Sequence, residues 1–182
     1  MNHTFQIPDD RHKVTVWAGL CGDGRIIGPY FFEGNVNGQA YLQMIDDFVI
    51  PELVANYGVQ LNGAFRRFWW YQDGAPAHRL GLVRDTLQGH FPNRFVGIGH
   101  EIEWPPRSPD LTPCDFFLWG YVKSKVYTSP PGTLDELRNR ITAAFQEVPR
   151  DMVARAVGSM RRRAAICVGN NGFHVEGRFM EG

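Results

Sequence analysis

The stretch Phe68-Trp69-Trp70-Tyr71-Gln72-Asp73-Gly74 decides the interpretation of this chain. Four aromatic residues in succession are typical of a short strand, and an apolar run without alternation favours a strand that is buried on both faces. Gly74 then brings turn chemistry. Ligands of open α/β sheets bind beyond the carboxyl ends of strands, so Asp73 lies where a carboxylate can take part in chemistry. An Asp after a strand is also a common turn residue.

The segments around this stretch predict a mixed α/β sheet with helices packed against it. Strands alternate with helical patterns in the first two thirds of the sequence, and only helices follow. The predicted elements are, in order, a hairpin of Lys13 to Leu20 and Ile26 to Phe32, a helix capped by Asn37 that Pro51 should end or kink, a strand of Phe68 to Tyr71, a helix of Ala75 to His90, a strand within Ile98 to Trp104, a helix of Cys114 to Tyr127, a helix behind the capping box at Thr133, and a helix after Pro149.

Composition limits the class of protein. The 182 residues contain no long linker, which predicts a single domain over residues 1–182. A hydrophobic fraction of 43% and an aromatic fraction of 13% are unlike a disordered chain. The three Cys residues are odd in number and lack metal-ligand spacing, which favours reduced thiols in an intracellular protein. The first ten residues lack the apolar run of a signal peptide, and no stretch predicts a membrane span.

Charge is unevenly distributed along the chain. The formal net charge is zero, whereas a compact DNA-binding domain usually has an excess of Lys and Arg. Residues 138–163 nevertheless hold seven Arg against Glu147 and Asp151, a net charge of +5. This stretch is either a solvated helical face or a strip that contacts phosphates, and in the second case Arg161, Arg162 and Arg163 are the candidate nucleic-acid contacts.

A second acidic position follows a loop stiffened by four prolines, residues 104–113. Asp115 falls in the first turn of the predicted Cys114 helix, where the helix dipole favours an acid for structural reasons alone. Asp110 is a competing candidate in the loop. Mg²⁺ takes oxygen ligands and binds protein through one or two carboxylates, and two such ions about 4 Å apart can promote attack on a phosphodiester. Asp73, together with Asp115 or the competing Asp110, therefore predicts a Mg²⁺ site for hydrolysis or transfer of a DNA strand.

Two motifs carry a resemblance to a known family. Tyr71-Gln72-Asp73-Gly74-Ala75-Pro76-Ala77-His78 resembles the second-acid motif of mariner-type DNA transposases. Trp104-Pro105-Pro106-Arg107-Ser108-Pro109-Asp110-Leu111-Thr112-Pro113-Cys114-Asp115 resembles their third-acid motif, and 41 residues separate the two acids. The Lys13 hairpin and the ending Asn170-Asn171-Gly172-Phe173-His174 also resemble the family, so the likeness covers roughly Lys13 to Glu176.

The resemblance implies a ribonuclease-H-like fold, dependence on Mg²⁺ or Mn²⁺, cut-and-paste transposition, DNA as the partner, and a nuclear or else cytoplasmic location. It also implies that the third acid is Asp115 and that Asp110 shapes the loop. For His78 it leaves two roles, a contact to phosphate or the organisation of the Asp73 loop.

The sequence departs from the family pattern at the first acid, which the family carries on a strand well upstream of this hairpin. Twelve residues precede Lys13, and they include Asp9 and Asp10, which adjoin the hairpin instead of lying in an apolar strand. Asp23 lies in the hairpin turn. We therefore expect the first strand and the first acid to be missing, and an uncovered neighbouring strand to be open to pairing.

Three hypotheses follow for function. The first is a transposase-derived catalytic domain that keeps two metal ligands and is inactive or impaired. The second is a competent nuclease that uses another acid, such as Asp9, Asp10 or Asp23, or that is completed by a second chain or a homodimer. The third is a non-catalytic module that binds nucleic acid or serves as a scaffold.

Overall fold

The computed structural model describes residues 1–8, 12–58, 65, 67–171 and 175. The chain forms two compact units, which are described separately. The first unit comprises Met1 and Phe32–Arg107, and the second comprises Asn2–Phe31 and Ser108–Gly182. The single domain expected for residues 1–182 stays a prediction. Across the described residues, no helix has both the length and the apolar character that crossing a membrane requires.

A three-stranded sheet in the order β1-β2-β3 forms the base of the second unit. β2 (Lys13–Leu20) and β3 (Ile26–Phe32) are the predicted hairpin, whose five-residue connection permits only antiparallel pairing. β1 (Asn2–Gln6) pairs antiparallel with β2, in a register that runs from Asn2 opposite Trp17 to Gln6 opposite Lys13. The sequence analysis did not predict β1. It carries no acidic residue, and its presence means that both sides of β2 are paired.

Helices complete the second unit. A π turn at Cys114–Leu118 leads into α4 (Trp119–Val126), which is followed by α5 (Leu134–Gln146) and α6 (Arg150–Gly169), at the predicted places. Their apolar positions and the inner face of the sheet form a core that includes Phe5, Val16, Trp17, Leu118, Trp119, Val122, Leu137, Ile141 and Val153, each at most 3% exposed.

The first unit opens with a helical segment that continues past Pro51. Asn37 caps α1 (Gly38–Met44) as predicted, because its Oδ1 accepts a hydrogen bond of 2.9 Å from the Ala40 N–H. A π turn follows at Ile45–Val49, and α2 spans Ile50–Tyr57. Of the two effects expected of Pro51, ending the helix is wrong, because helical residues continue to Tyr57. Pro51 occupies the first turn of α2 after the π turn, where a missing N–H removes no required hydrogen bond.

The aromatic stretch forms a shorter strand than predicted. β4 is Trp70–Tyr71 and pairs in parallel with β5 (Phe95–Val96). The expectation of burial on both faces is wrong, since Trp69 is 42% and Tyr71 48% exposed. Side chains alternate across a strand, and here the outward positions are aromatic as well, so the sequence shows no alternation.

The segments flanking β5 also differ from the prediction. Residues 75–90 form a 3₁₀ turn at Pro76–Arg79 and then α3 (Gly81–His90), because Leu80 between them is extended with ψ 130°. The strand predicted within Ile98 to Trp104 is wrong in position. Pairing occurs earlier, in β5, and the later segment contributes an isolated parallel bridge between Val96 and Ile102.

Candidate metal-binding carboxylates

Asp73 lies two residues after the end of β4, and two hydrogen bonds fix its carboxylate. Its Oδ1 accepts one from the Ala75 N–H at 3.2 Å, which closes a local turn, and lies 2.8 Å from His78 Nδ1. The same His78 nitrogen is 2.9 Å from the Asp73 carbonyl oxygen. The imidazole therefore fixes both the side chain and the backbone of Asp73, while 35% of the Asp73 side chain remains exposed.

The environment of Asp73 favours the charged carboxylate. Burial acts to raise the pKa of Asp73, but the hydrogen bond and charge of His78 and the Ala75 N–H act against it, and the pKa lies below its ordinary value of 3.8. At neutral pH the Asp73 carboxylate is thus ionised and partly exposed. Charged carboxylate oxygens are the ligands that Mg²⁺ and Mn²⁺ prefer.

Gln72 forms a buried support beneath this acid that the sequence analysis missed. It is 4% exposed, and its Oε1 accepts hydrogen bonds of 3.2 Å from the Tyr41 hydroxyl and from Trp70 Nε1. The Tyr41 ring also lies 4.4 Å from the His78 ring. α1 therefore packs on both residues that flank the carboxylate. The sequence contains one sign of this role, which is that the amide Gln72 directly follows a run of aromatic residues and alternates with them toward the inside.

Gly74 allows a close approach behind Asp73. A Cβ built at this position would lie 2.1 Å from Ile98 Cδ1, so any side chain would force Ile98 to move. Arg79 Nε donates a hydrogen bond of 3.0 Å to the Gly74 carbonyl. Glycine at this place serves packing, which adds to the turn chemistry that the sequence indicated.

His78 has two candidate roles. It is 5% exposed and its Nδ1 is directed to Asp73, which favours the organising role, while a contact between His78 and nucleic acid stays an untested prediction. A buried imidazole that binds a carboxylate and a carbonyl has no exposed donor for a phosphate.

Asp115 lies in the π turn at Cys114–Leu118 and is exposed. Its N–H donates a hydrogen bond of 2.9 Å to the Thr112 carbonyl, which anchors the start of the turn. The first and last residues of this turn point into the core, because Cys114 is 4% exposed and Leu118 is fully buried. π turns are frequent at functional sites, and this one leaves the Asp115 carboxylate directed away from the core of its unit.

Asp110 and Arg163 hold the loop ahead of Asp115. Asp110 Oδ2 accepts a hydrogen bond of 2.9 Å from the Val175 N–H, which supports the loop-shaping role expected of Asp110. Arg163 Nε donates to the Asp110 carbonyl at 2.5 Å, and its guanidinium carbon lies 3.9 Å from the centroid of the Phe116 ring.

The arginines of the basic stretch divide into two groups. Arg163 is 8% exposed and contacts Asp110 and Phe116 within the protein, and a phosphate contact at Arg163 stays an untested prediction. Arg140 binds the Val126 and Ser129 carbonyls and Glu136, and Arg138 lies over Phe31. Arg161 and Arg162 are exposed on α6, and for them a nucleic-acid contact stays a prediction.

The two predicted acids belong to different units, Asp73 to the first and Asp115 to the second. Asp23 is bonded to Arg25 in its own turn, and Asp9 and Asp10 lie outside the described residues. Within the residues that the structure describes, no three His, Cys, Asp or Glu side chains form a group that could hold a metal ion.

Comparison with known proteins agrees with the motifs. No protein-family model matches the sequence. The chain is 25% identical over 173 residues to the transposable element Tc1 transposase of Caenorhabditis elegans and to the Tcb1 transposase of Caenorhabditis briggsae. These matches cover 93% of this chain and 57% of each relative, so the chain spans little more than half the length of the curated relatives.

Solved structures share the fold. The catalytic domain of Mos1 mariner transposase superposes with a TM-score of 0.77 at 18% identity, covering 96% of this chain and 81% of that one. The Mos1 paired-end complex with the left transposon end gives a TM-score of 0.73 at 19% identity, over 94% of this chain and 48% of that one. The fold is the ribonuclease-H-like fold of the Mos1 transposase catalytic domain. In sequence, the chain is similar to the Tc1 and Tcb1 transposases, in agreement with its motifs.

Proposed function

We propose that this chain provides two metal-binding carboxylates, Asp73 and Asp115, for the divalent-metal-dependent cleavage and transfer of a DNA strand. The main observation in support is the Asp73 carboxylate just after β4, which is ionised, held by His78 and partly exposed. The similarity to transposases supports this reaction, and so do the structures of the Mos1 catalytic domain with Mn and with Mg.

The residues of this chain would prepare the reaction before DNA arrives. Bound Mg²⁺ or Mn²⁺ would activate an attacking water or hydroxyl and stabilise the leaving oxygen. Asp73 would hold its cation in a fixed direction, because His78 and the Ala75 N–H prevent the carboxylate from rotating. Asp115 would supply oxygen ligands from the exposed face of its turn.

We further propose that residues 1–182 alone cleave DNA weakly or not at all. The resemblance implies a third acid, whereas β1 carries none and Asp23 is engaged with Arg25. The third carboxylate would come from a residue outside the described ones, from a second chain or from a homodimer partner. A nuclear location remains part of this proposal.

Thermal unfolding with and without Mn²⁺ tests the metal site. We expect Mn²⁺ to raise the unfolding temperature of the parent chain and to have less effect on Asp73→Asn and Asp115→Asn. A ligand present at 100 times its Kd stabilises the folded state by about 2.7 kcal/mol. Asp47→Asn, which removes an exposed acid from the first unit, is the matched control. An equal Mn²⁺ effect in Asp73→Asn and the parent would overturn the proposal.

A DNA-nicking assay tests the proposed lack of turnover. Metal-dependent nicking by the parent that is lost in Asp73→Asn would contradict an impaired site and favour a competent nuclease. If Asp9→Asn, Asp10→Asn and Asp23→Asn then nicked DNA like the parent, none of these three acids would be the missing carboxylate.

A non-catalytic nucleic-acid-binding module is the second candidate function. The observation in its favour is the exposure of Arg161 and Arg162, which are adjacent on α6. Such a module would bind DNA without metal, and binding would survive Asp73→Asn and Asp115→Asn.

A further inference from the structure

We infer that Arg163 is a positioning residue for Asp115, acting from α6 on both sides of the turn that carries this acid. The inference rests on the proposed metal-binding role of Asp115. Arg163 lies 48 residues after Asp115 in the sequence.

Arg163 contacts the chain before and after Asp115. On the side of the loop, its Nε donates to the Asp110 carbonyl at 2.5 Å, within the 3₁₀ turn Pro109–Leu111. On the side of the helix, its guanidinium stacks on the ring of Phe116, the residue that directly follows Asp115, at 3.9 Å from the ring centroid. A single side chain thus fixes both approaches to the acid.

These contacts fix the chain on both sides of Asp115, which is itself exposed. A π turn leaves the backbone less tightly bonded than an α-helix, so its orientation depends on neighbouring packing. Guanidinium is planar, which lets it stack on Phe116 and donate in its own plane at the same time, and the ammonium of Lys cannot reproduce that geometry. At 8% exposure Arg163 is committed to these partners instead of solvent.

The segment after α6 adds a second attachment to the same loop. The Asp110 carboxylate accepts the Val175 N–H at 2.9 Å, while the Asp110 carbonyl accepts from Arg163. Both groups of one loop residue are therefore bonded to the C-terminal part of the chain. We infer that this part sets the position of Asp115, which sequence proximity would not suggest.

Iron-directed cleavage of the polypeptide measures the position of Asp115 directly. Fe²⁺ replaces Mg²⁺ or Mn²⁺ at oxygen-ligand sites, and with ascorbate and peroxide it releases hydroxyl radicals that cut the nearby backbone. The fragments are identified by mass spectrometry, and the readout is the yield of cuts near Asp115 divided by the yield near Asp73. This ratio needs no DNA and no catalytic turnover.

We expect the parent to be cut near both acids. With Fe²⁺ below saturation, Arg163→Met should lower the ratio by up to about tenfold, because replacing a residue that orients a metal ligand typically lowers metal affinity by about 10- to 100-fold. Arg155→Met is the matched control, since it removes the same group from an exposed position of α6 and should keep the parent ratio. Arg163→Lys keeps the charge and should give an intermediate ratio. If Arg163→Met does not unfold cooperatively, Arg163→Lys carries the test.

The outcomes separate the inference from the proposed function. Parent-like ratios in both Arg163 variants, with normal cuts near Asp115, would overturn the positioning role and leave the metal site standing. A parent that is cut near neither acid would overturn the proposed metal site, and the positioning role with it.

Discussion

At the scale of single residues, His3 illustrates how packing alters ionisation. Its ring stacks on Trp119 with centroids 5.4 Å apart and meets Phe5 edge-on at 5.0 Å. Burial, assisted by the charge of Lys123, lowers the pKa of His3 from 6.5 to about 4. The folded chain therefore keeps His3 neutral at pH values where the unfolded chain protonates it.

We expect the stability of the chain to fall as the pH is lowered from 6.5 to about 4, because the unfolded state gains a proton that the folded state excludes. Above pH 6.5, His3 contributes no pH dependence. Urea unfolding between pH 4 and pH 8 measures the free energy of unfolding. In His3→Phe this free energy should depend less on pH over that range, while the ring contacts are kept. An unchanged slope in His3→Phe would assign the effect to other groups, and His12→Asn, at an exposed position, controls for the loss of any histidine.

The candidate site was only partly predictable at this scale. Asp73 and Asp115 could be found because each lies in a local motif. His78 could be placed near Asp73, yet only its burial favours an organising role over a phosphate contact. Arg163 could not be found, since its partner Asp110 is 53 residues away and a run of three Arg gives no sign of which one faces inward.

At the scale of elements, the start of α5 shows a sequence signal that the structure confirms. Thr133 Oγ1 accepts a hydrogen bond of 3.1 Å from the Glu136 N–H, and Glu136 Oε2 accepts one of 2.7 Å from the Gly132 N–H. These bonds satisfy backbone donors at the helix start that have no partner within the helix.

We expect Thr133→Ala to lower the free energy of unfolding by about 1 kcal/mol, as is typical for the loss of a capping side chain. Thr133→Ser keeps the hydroxyl and should lose much less. Chemical denaturation of the two variants beside the parent measures the difference. Equal losses in both variants would mean that the threonine methyl group, and not the hydrogen bond, stabilises this end of α5.

Elements fixed by local chemistry could be predicted, and those fixed by distant partners could not. The hairpin and the caps at Asn37 and Thr133 depend on neighbours within a few residues, and each formed where expected. β1 depends on pairing with β2, and its sequence of mostly polar residues gives little strand signal. The π turn before Pro51 lets a proline stand inside a continuous helical segment, which propensity alone cannot anticipate.

At the scale of the whole molecule, a net charge of zero conceals an exposed basic position. Arg161 and Arg162 are exposed on α6. Lys125 and Arg155 are also exposed, and they form ion pairs with Glu147 and Asp151. Phosphate contacts release counterions, so their number can be measured from the salt dependence of DNA binding.

We expect metal-free DNA binding at low salt that weakens as salt rises. Replacing both Arg161 and Arg162 by Ala should reduce the slope of log K against log salt by about two, since each phosphate contact contributes about 0.9. The double variant Lys125→Ala with Arg155→Ala makes the same change in net charge and should reduce the slope less. Equal reductions would show a general effect of charge, and absence of binding at low salt would end the binding-module interpretation.

The hydroxyl of Tyr127 has a consequence for how copies of the chain meet one another. It accepts from the Gln6 N–H at 3.0 Å and donates to the Gln6 carbonyl at 2.7 Å, so a single side chain saturates two backbone groups of the outer strand β1. Outer strands with unsaturated backbone groups recruit strands from other molecules and begin fibrillar growth. The Tyr127 hydroxyl thus blocks strand pairing between molecules at this edge. A phenylalanine at this position would fill the same space but would leave the Gln6 N–H and carbonyl available to a strand of another molecule.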